Sequence, residues 1–200
     1  MKPYQVPEAL IDTFAQFASH YADISPAELK PMIQHLPIAF FKKGTVLIRQ
    51  GDPVTQCFFI LQGCARKYAV NEDGKEVTSD FITEHQSIAI LTSKDSPYFV
   101  TCLEDSVMIV GDLDQQSDEF DTYPVFAEIT RRMMEESLGK MHDEYTAFIS
   151  MGPEDRVRRL MQTRMDLFTR VPQHQLASYI GITAESLSRI KRRLVESSLV

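Results

Sequence analysis

Long apolar runs are missing from this chain of 200 residues. Its densest stretch, Cys57-Phe58-Phe59-Ile60-Leu61, falls far short of the about 20 residues that cross a bilayer. The opening Met1-Lys2-Pro3-Tyr4-Gln5 lacks the apolar core of a secretion signal, so a cytoplasmic protein with no membrane partner is expected. Cysteine is scarce: Cys57, Cys64 and Cys102 form no Cys-x-x-Cys pair, which excludes zinc or iron–sulfur sites of ordinary spacing. Three small buried apolar side chains are expected instead. His20, His35, His85, His142 and His174 are scattered without metal-ligand spacing, and His142-Asp143-Glu144 reads as a solvated helix face. Neither a phosphate loop nor a nucleophile motif occurs, so no enzyme, metal site or resident cofactor is expected.

Basic residues are also in deficit, 21 against 28 acidic ones, for a net charge of −7. Taken whole, that balance argues against a polyanionic partner. Its distribution reverses the conclusion. Residues 1–152 carry 23 acidic and 12 basic side chains, a net of −11, whereas residues 153–200 carry five and nine, a net of +4. An acidic body is followed by a basic tail. The length suits one large domain or two small ones, and the 44% hydrophobic and 24% charged composition is that of a globular protein.

Residues 5–36 read as helical, with Leu10, Phe14, Phe17 and Ala18 at helical spacing and a capping box in Ser25-Pro26-Ala27-Glu28. From Phe40 to Leu113 the pattern turns to short strands separated by turn residues, including a hairpin at Asn71-Glu72-Asp73-Gly74. Such a series predicts a small antiparallel barrel or sandwich. Pro124 opens a long helix to about Met151, on which Met134, Leu138, Met141, Tyr145 and Phe148 recur at steps of four and three. That spacing is a coiled-coil seam, favoured here as a dimer interface over packing on the chain's own barrel. Gly152-Pro153 coincides with the charge switch and marks a boundary. The expected organisation is therefore 1–123, 124–152 and 153–200.

In the tail, Leu176, Ala177 and Ile180 form the apolar stripe of a first helix, Gly181 ends it, and Thr183 caps a second. At about 100° per residue, Leu187, Ile190 and Leu194 fall within about 60° of one another, with Glu185, Arg189 and Arg192 opposite. Ser188 and Arg193 lie at the margins of that polar face. A helix packed by one face and presenting Arg, Ser and Glu on the other fits the major groove of double-stranded DNA. Glu185, Ser188, Arg189 and Arg192 are the candidate base-reading residues. Thr183, Lys191, Arg193, His174 and Gln175 are the candidate phosphate contacts.

These motifs resemble the Crp-Fnr transcription regulators over nearly the whole chain. In the barrel the resemblance rests on Phe41-Lys-Lys-Gly44, Leu47, Gly51-Asp52, Phe59-Ile-Leu-Gln-Gly63 and Asp73-Gly74. In the tail it rests on Gly181-Ile-Thr-Ala-Glu-Ser-Leu-Ser-Arg189, where Glu185, Ser188 and Arg189 match the family's base-reading signature. The resemblance implies an α+β fold: an N-terminal cyclic-nucleotide-binding-like antiparallel β-barrel, a long dimerisation helix and a C-terminal winged helix-turn-helix. It also implies a homodimer and contact with RNA polymerase.

Two departures bear on function. Members that bind cyclic nucleotides use a Gly-Glu pair and an Arg beside a Ser or Thr; residues 86–101 contain no Arg, Gly or Glu, and Lys94 is their only cation. Cyclic AMP is therefore not expected as the effector, which is another ligand or none, with Tyr98 and Phe99 partly filling the pocket. Only Val195–Val200 follow the second tail helix, so Leu199-Val200 begins a wing strand with no return; the wing is either short or truncated. Beside an effector-gated DNA regulator, two alternatives stay open: a sensor acting through protein contacts, and a constitutive DNA-binding protein with an empty pocket.

Overall fold

The structure is a computed structural model and describes residues 5–88, 95–113 and 122–197. Helix α1 (Glu8–Ala18) runs into a single 3-10 turn (Ser19–Tyr21) and is followed by α2 (Pro26–Ile33). The Ser25–Glu28 box forms at the start of α2: the Glu28 amide donates to Ser25 Oγ at 3.4 Å, and the Ser25 amide donates to the Glu28 carboxylate at 3.0 Å. Eight strands follow among the described residues: β1 (Ile38–Phe41), β2 (Val46–Ile48), β3 (Gln56–Gln62), β4 (Ala65–Val70), β5 (Glu76–Ile82), β6 (Ser87–Ile88), β7 (Phe99–Cys102) and β8 (Ser106–Asp112).

They form two four-stranded antiparallel sheets, ordered β1-β8-β3-β6 and β2-β7-β4-β5. Strand β3 explains how the sheets are covered. Its alternate residues Phe58 and Ile60 face a core shared with Ile48, Ile82, Val100 and Met108 between the sheets. Phe59 and Leu61 point the other way, into a second core with Phe14, Leu29, Ile33 and Phe126 from the helices. A strand buried on both faces needs an unbroken apolar run, which is what residues 57–61 supply. Gly63 has φ 121°, and a Cβ there would collide with Ser106, so the turn from β3 into β4 admits only glycine.

Among the described residues the later helices are α3 (Pro124–Ser150), α4 (Pro153–Thr163), α5 (Leu167–Arg170), α6 (Gln173–Ile180) and α7 (Ala184–Ser197). Phe126 and Ile129 near the start of α3 are buried in the helical core. Two compact units emerge, residues 1–66 with 81–139 and residues 67–80 with 140–200. The β4–β5 hairpin tip thus belongs with the C-terminal helices, and β4 and β5 run from one unit into the other. Sequence patterning places a boundary at Gly152-Pro153; α3 ends at Ser150 and α4 begins at Pro153, whereas the two compact units divide within α3, between Gly139 and Lys140. The hairpin's membership leaves no sequence signal, because it depends on contacts about a hundred residues apart.

Candidate nucleic-acid interface

The interface is built from α6 and α7. Leu176, Ala177 and Ile180 bury one face of α6. Gly181 then takes φ 82°, its amide bonding the Ser178 carbonyl at 3.2 Å while the Ile182 amide reaches the Ala177 carbonyl at 3.0 Å. This paired closure stops the helix and fixes the direction in which the chain leaves it. Thr183 caps α7, its Oγ1 accepting the Ser186 amide at 3.2 Å. Gln173 adds a second tie by donating from Nε2 to the Ala184 carbonyl at 3.2 Å.

Helix α7 is anchored by Leu187 and Leu194, both buried, and by half-buried Ile190. Glu185, Ser188, Arg189 and Arg192 are all exposed. The Glu185 carboxylate is held below the ordinary range by its own backbone amide, the Thr183 hydroxyl and the Arg189 charge, in that order. It is therefore an ionised acceptor at the positive end of a helix, the state needed to accept from cytosine N4. Arg189 Nη2 rests on Ser186 Oγ at 3.2 Å, one turn back along the same helix.

The proposed phosphate contacts are less uniform. His174 is exposed. Gln175 is half-buried, with its Oε1 turned inward and accepting no hydrogen bond. Lys191 Nζ lies 5.2 Å from the centre of the Phe168 ring. Arg193 pairs with the Glu154 carboxylate of α4. The Thr183 hydroxyl is already committed to capping. Lys191 and Arg193 thus have intramolecular partners, which helical periodicity cannot reveal.

On α3, Leu138, Met141 and Tyr145 are 56, 60 and 63% exposed, and Met134 is half-buried. Phe148 leaves this stripe: the Arg156 guanidinium covers its ring at 3.9 Å. Ile149, 60% exposed, takes its place, because steps of four from Met141 and Tyr145 continue along one line of the helix.

Three residues that sequence patterning does not single out are distinctive within the C-terminal unit. Ser178 Oγ accepts the Thr78 amide at 3.1 Å and donates to the Glu76 carbonyl at 3.4 Å, satisfying two backbone groups on the outer edge of β5. Burial, with the negative charges of Asp80 and Glu144, pushes the Tyr179 phenol up to about 12 against the opposing pull of Arg164. Arg156 bridges α3 and α6, bonding the Phe148 and Ile180 carbonyls.

Between the sheets, Tyr98 packs on the core, while Phe99 alternates to the other face from Val100. Of the expected effector segment, residues 89–94 lie outside the described residues, Lys94 among them; so does the wing at Leu199-Val200. Cys64 and Cys102 are buried and Cys57 half-buried. Among the described residues no group of three or more His, Cys, Asp or Glu could hold a metal ion. No helix there is long and apolar enough to cross a membrane.

Residues 38–123 match the family model of the cyclic nucleotide-binding domain. The nitrogen fixation regulation protein FixK of Rhizobium meliloti is 23% identical over 181 residues, covering 85% of this chain and 81% of its own length. The transcriptional activator protein anr of Pseudomonas aeruginosa is 18% identical over 175 residues, covering 80% and 70%. The solved structure of the c-di-GMP responsive global regulator CLP of Xanthomonas campestris shares the fold with a TM-score of 0.65 and 15% identity, over 86% of this chain and 93% of that one. The N-terminal sheets are thus a domain of the cyclic nucleotide-binding class joined to a helical C-terminal unit. Over most of its length the chain is similar to bacterial regulators of the Crp-Fnr type, among them FixK and anr.

Proposed function

We propose that the protein is a sequence-specific, homodimeric DNA-binding transcription regulator. The observation that carries this reading is α7: a capped helix anchored by Leu187 and Leu194, with Glu185, Ser188, Arg189 and Arg192 together on its open face. Arg189 pairs bidentately with guanine, Glu185 accepts from cytosine, and Ser188 and Arg192 assist. His174, Gln175, Thr183, Lys191 and Arg193 serve the phosphates, Lys191 and Arg193 by turning from Phe168 and Glu154 toward DNA. Residues 1–123 act as sensor, 124–152 as dimerisation helix and 153–200 as reader. The exposed stripe on α3 joins two copies, setting two α7 helices about 34 Å apart in successive major grooves.

The effector is a ligand other than cyclic AMP. Supporting this is the absence of any arginine from residues 86–101 to neutralise a cyclic phosphate. The fold itself serves other nucleotides, as the c-di-GMP responsive CLP illustrates. RNA polymerase is the expected partner on DNA.

Titration of a duplex with protein at increasing salt tests the reading. Affinity falls steeply with salt, as release of phosphate counterions requires. Arg189→Ala costs about 1–3 kcal/mol on the preferred site and relaxes preference at one base pair, with little change in the salt slope. An unaltered base preference in that variant would remove Arg189 from base reading.

A further inference from the structure

The last carbonyls of a helix have no partner within it. Two such groups, from helices with different tasks, are met by one side chain. Arg156, in the first turns of α4, donates from Nε to the Phe148 carbonyl at 3.0 Å and from Nη1 to the Ile180 carbonyl at 3.3 Å. Its guanidinium also lies 3.9 Å over the Phe148 ring. Phe148 is in the final turn of α3, and Ile180 is the final residue of α6. The cation therefore closes the negative ends of both helices at once. A Cβ on Gly181 would stand 3.6 Å from Nη1, so the turn into α7 is formed directly against this group.

The geometry needs an arginine. A planar guanidinium offers donors in fixed directions and stacks on a ring, so the two carbonyls and the Phe148 ring are held at set separations. A lysine ammonium keeps the charge as a point donor and cannot impose that spacing. Phe148, Arg156 and Ile180 all lie within residues 140–200, a single compact unit.

We propose that Arg156 is the positioning residue that sets the angle between α3 and the α6–α7 pair, and thereby the half-site spacing a dimer accepts. This rests on the dimeric DNA-binding reading above. Each inserted base pair moves half-sites apart by about 3.4 Å and turns one about the axis, so a rigid junction discriminates sharply between spacers. A loosened junction accepts several.

The test uses the full chain and palindromic duplexes carrying its preferred half-site, with spacers from two base pairs short to two base pairs long. Wild-type protein loses about tenfold or more in affinity on each altered spacer, roughly the effect of one misplaced contact pair. Arg156→Met, which keeps the aliphatic stem, flattens that profile to within about threefold, while base preference inside a half-site and dimerisation by sedimentation stay as in wild type. Arg156→Lys keeps the charge and the salt slope but widens spacer tolerance; it carries the test should the Met variant not fold. An unchanged spacer profile in the folded variant overturns the role of Arg156 while leaving the dimer reading intact. A wild-type protein indifferent to spacing overturns both.

Discussion

Tyr179, on α6, carries a titratable phenol within the field of two acidic side chains, Asp80 and Glu144. Its phenol is raised from 10.0 to about 12, chiefly by burial. At neutral pH it is uncharged in folded and unfolded chains alike and contributes no pH dependence. Between pH 10 and about 12 only the unfolded chain loses the proton, so stability falls as pH rises through that window. Denaturant melts of Tyr179→Phe should therefore give a shallower decline between those pH values than wild type. Tyr21, also raised to about 12 and donating to Glu136 at 2.7 Å, keeps the remaining slope. Equal slopes in the two proteins would mean that the unfolded and folded phenols ionise alike. Ser178 makes a related point: its single hydroxyl serves the Thr78 amide and the Glu76 carbonyl, so a small side chain joins the β4–β5 hairpin to α6.

At the scale of elements, α3 changes character along its length. Its start is buried by Phe126 and Ile129, whereas Leu138, Met141, Tyr145 and Ile149 stand exposed further on. Exposed apolar residues at helical spacing suit the dimer surface proposed above. Leu138→Glu combined with Tyr145→Glu should convert the dimer to monomer in sedimentation equilibrium. Melting of the monomeric unit should change by only about 0.5 kcal/mol, because neither side chain is buried within the chain. A dimer that survives the double substitution would place the interface elsewhere.

Local features of these elements were legible in the sequence, as the Ser25–Glu28 box, the Gly181 closure, the Thr183 cap and the two faces of α7 illustrate. Each depends on residues within a few positions of one another. The Arg156 bridge spans 24 residues to Ile180 and the Ser178 contact spans 100 to Thr78, so neither leaves a periodic trace. The same reason applies to Phe148, which spacing places on the seam: the side chain eight positions along that covers its ring leaves no trace in that spacing. Helical phase puts Arg193 at the margin of the polar face, and its ion pair with Glu154 lies beyond the reach of that phase.

For the molecule as a whole, charge distribution carries more information than net charge. A chain at −7 is repelled on average by a polyanion, but the +4 of residues 153–200 sits with the reader and the −11 precedes it. Such an arrangement favours one orientation on DNA and disfavours diffuse attachment. The most direct measurement is a binding selection from random duplexes with the full chain at physiological salt. A homodimeric reader enriches an inverted repeat whose half-sites lie about one helical turn apart, about 10 base pairs centre to centre. Recovery of single, unpaired sites, or of no sequence preference at all, would contradict the homodimeric reading.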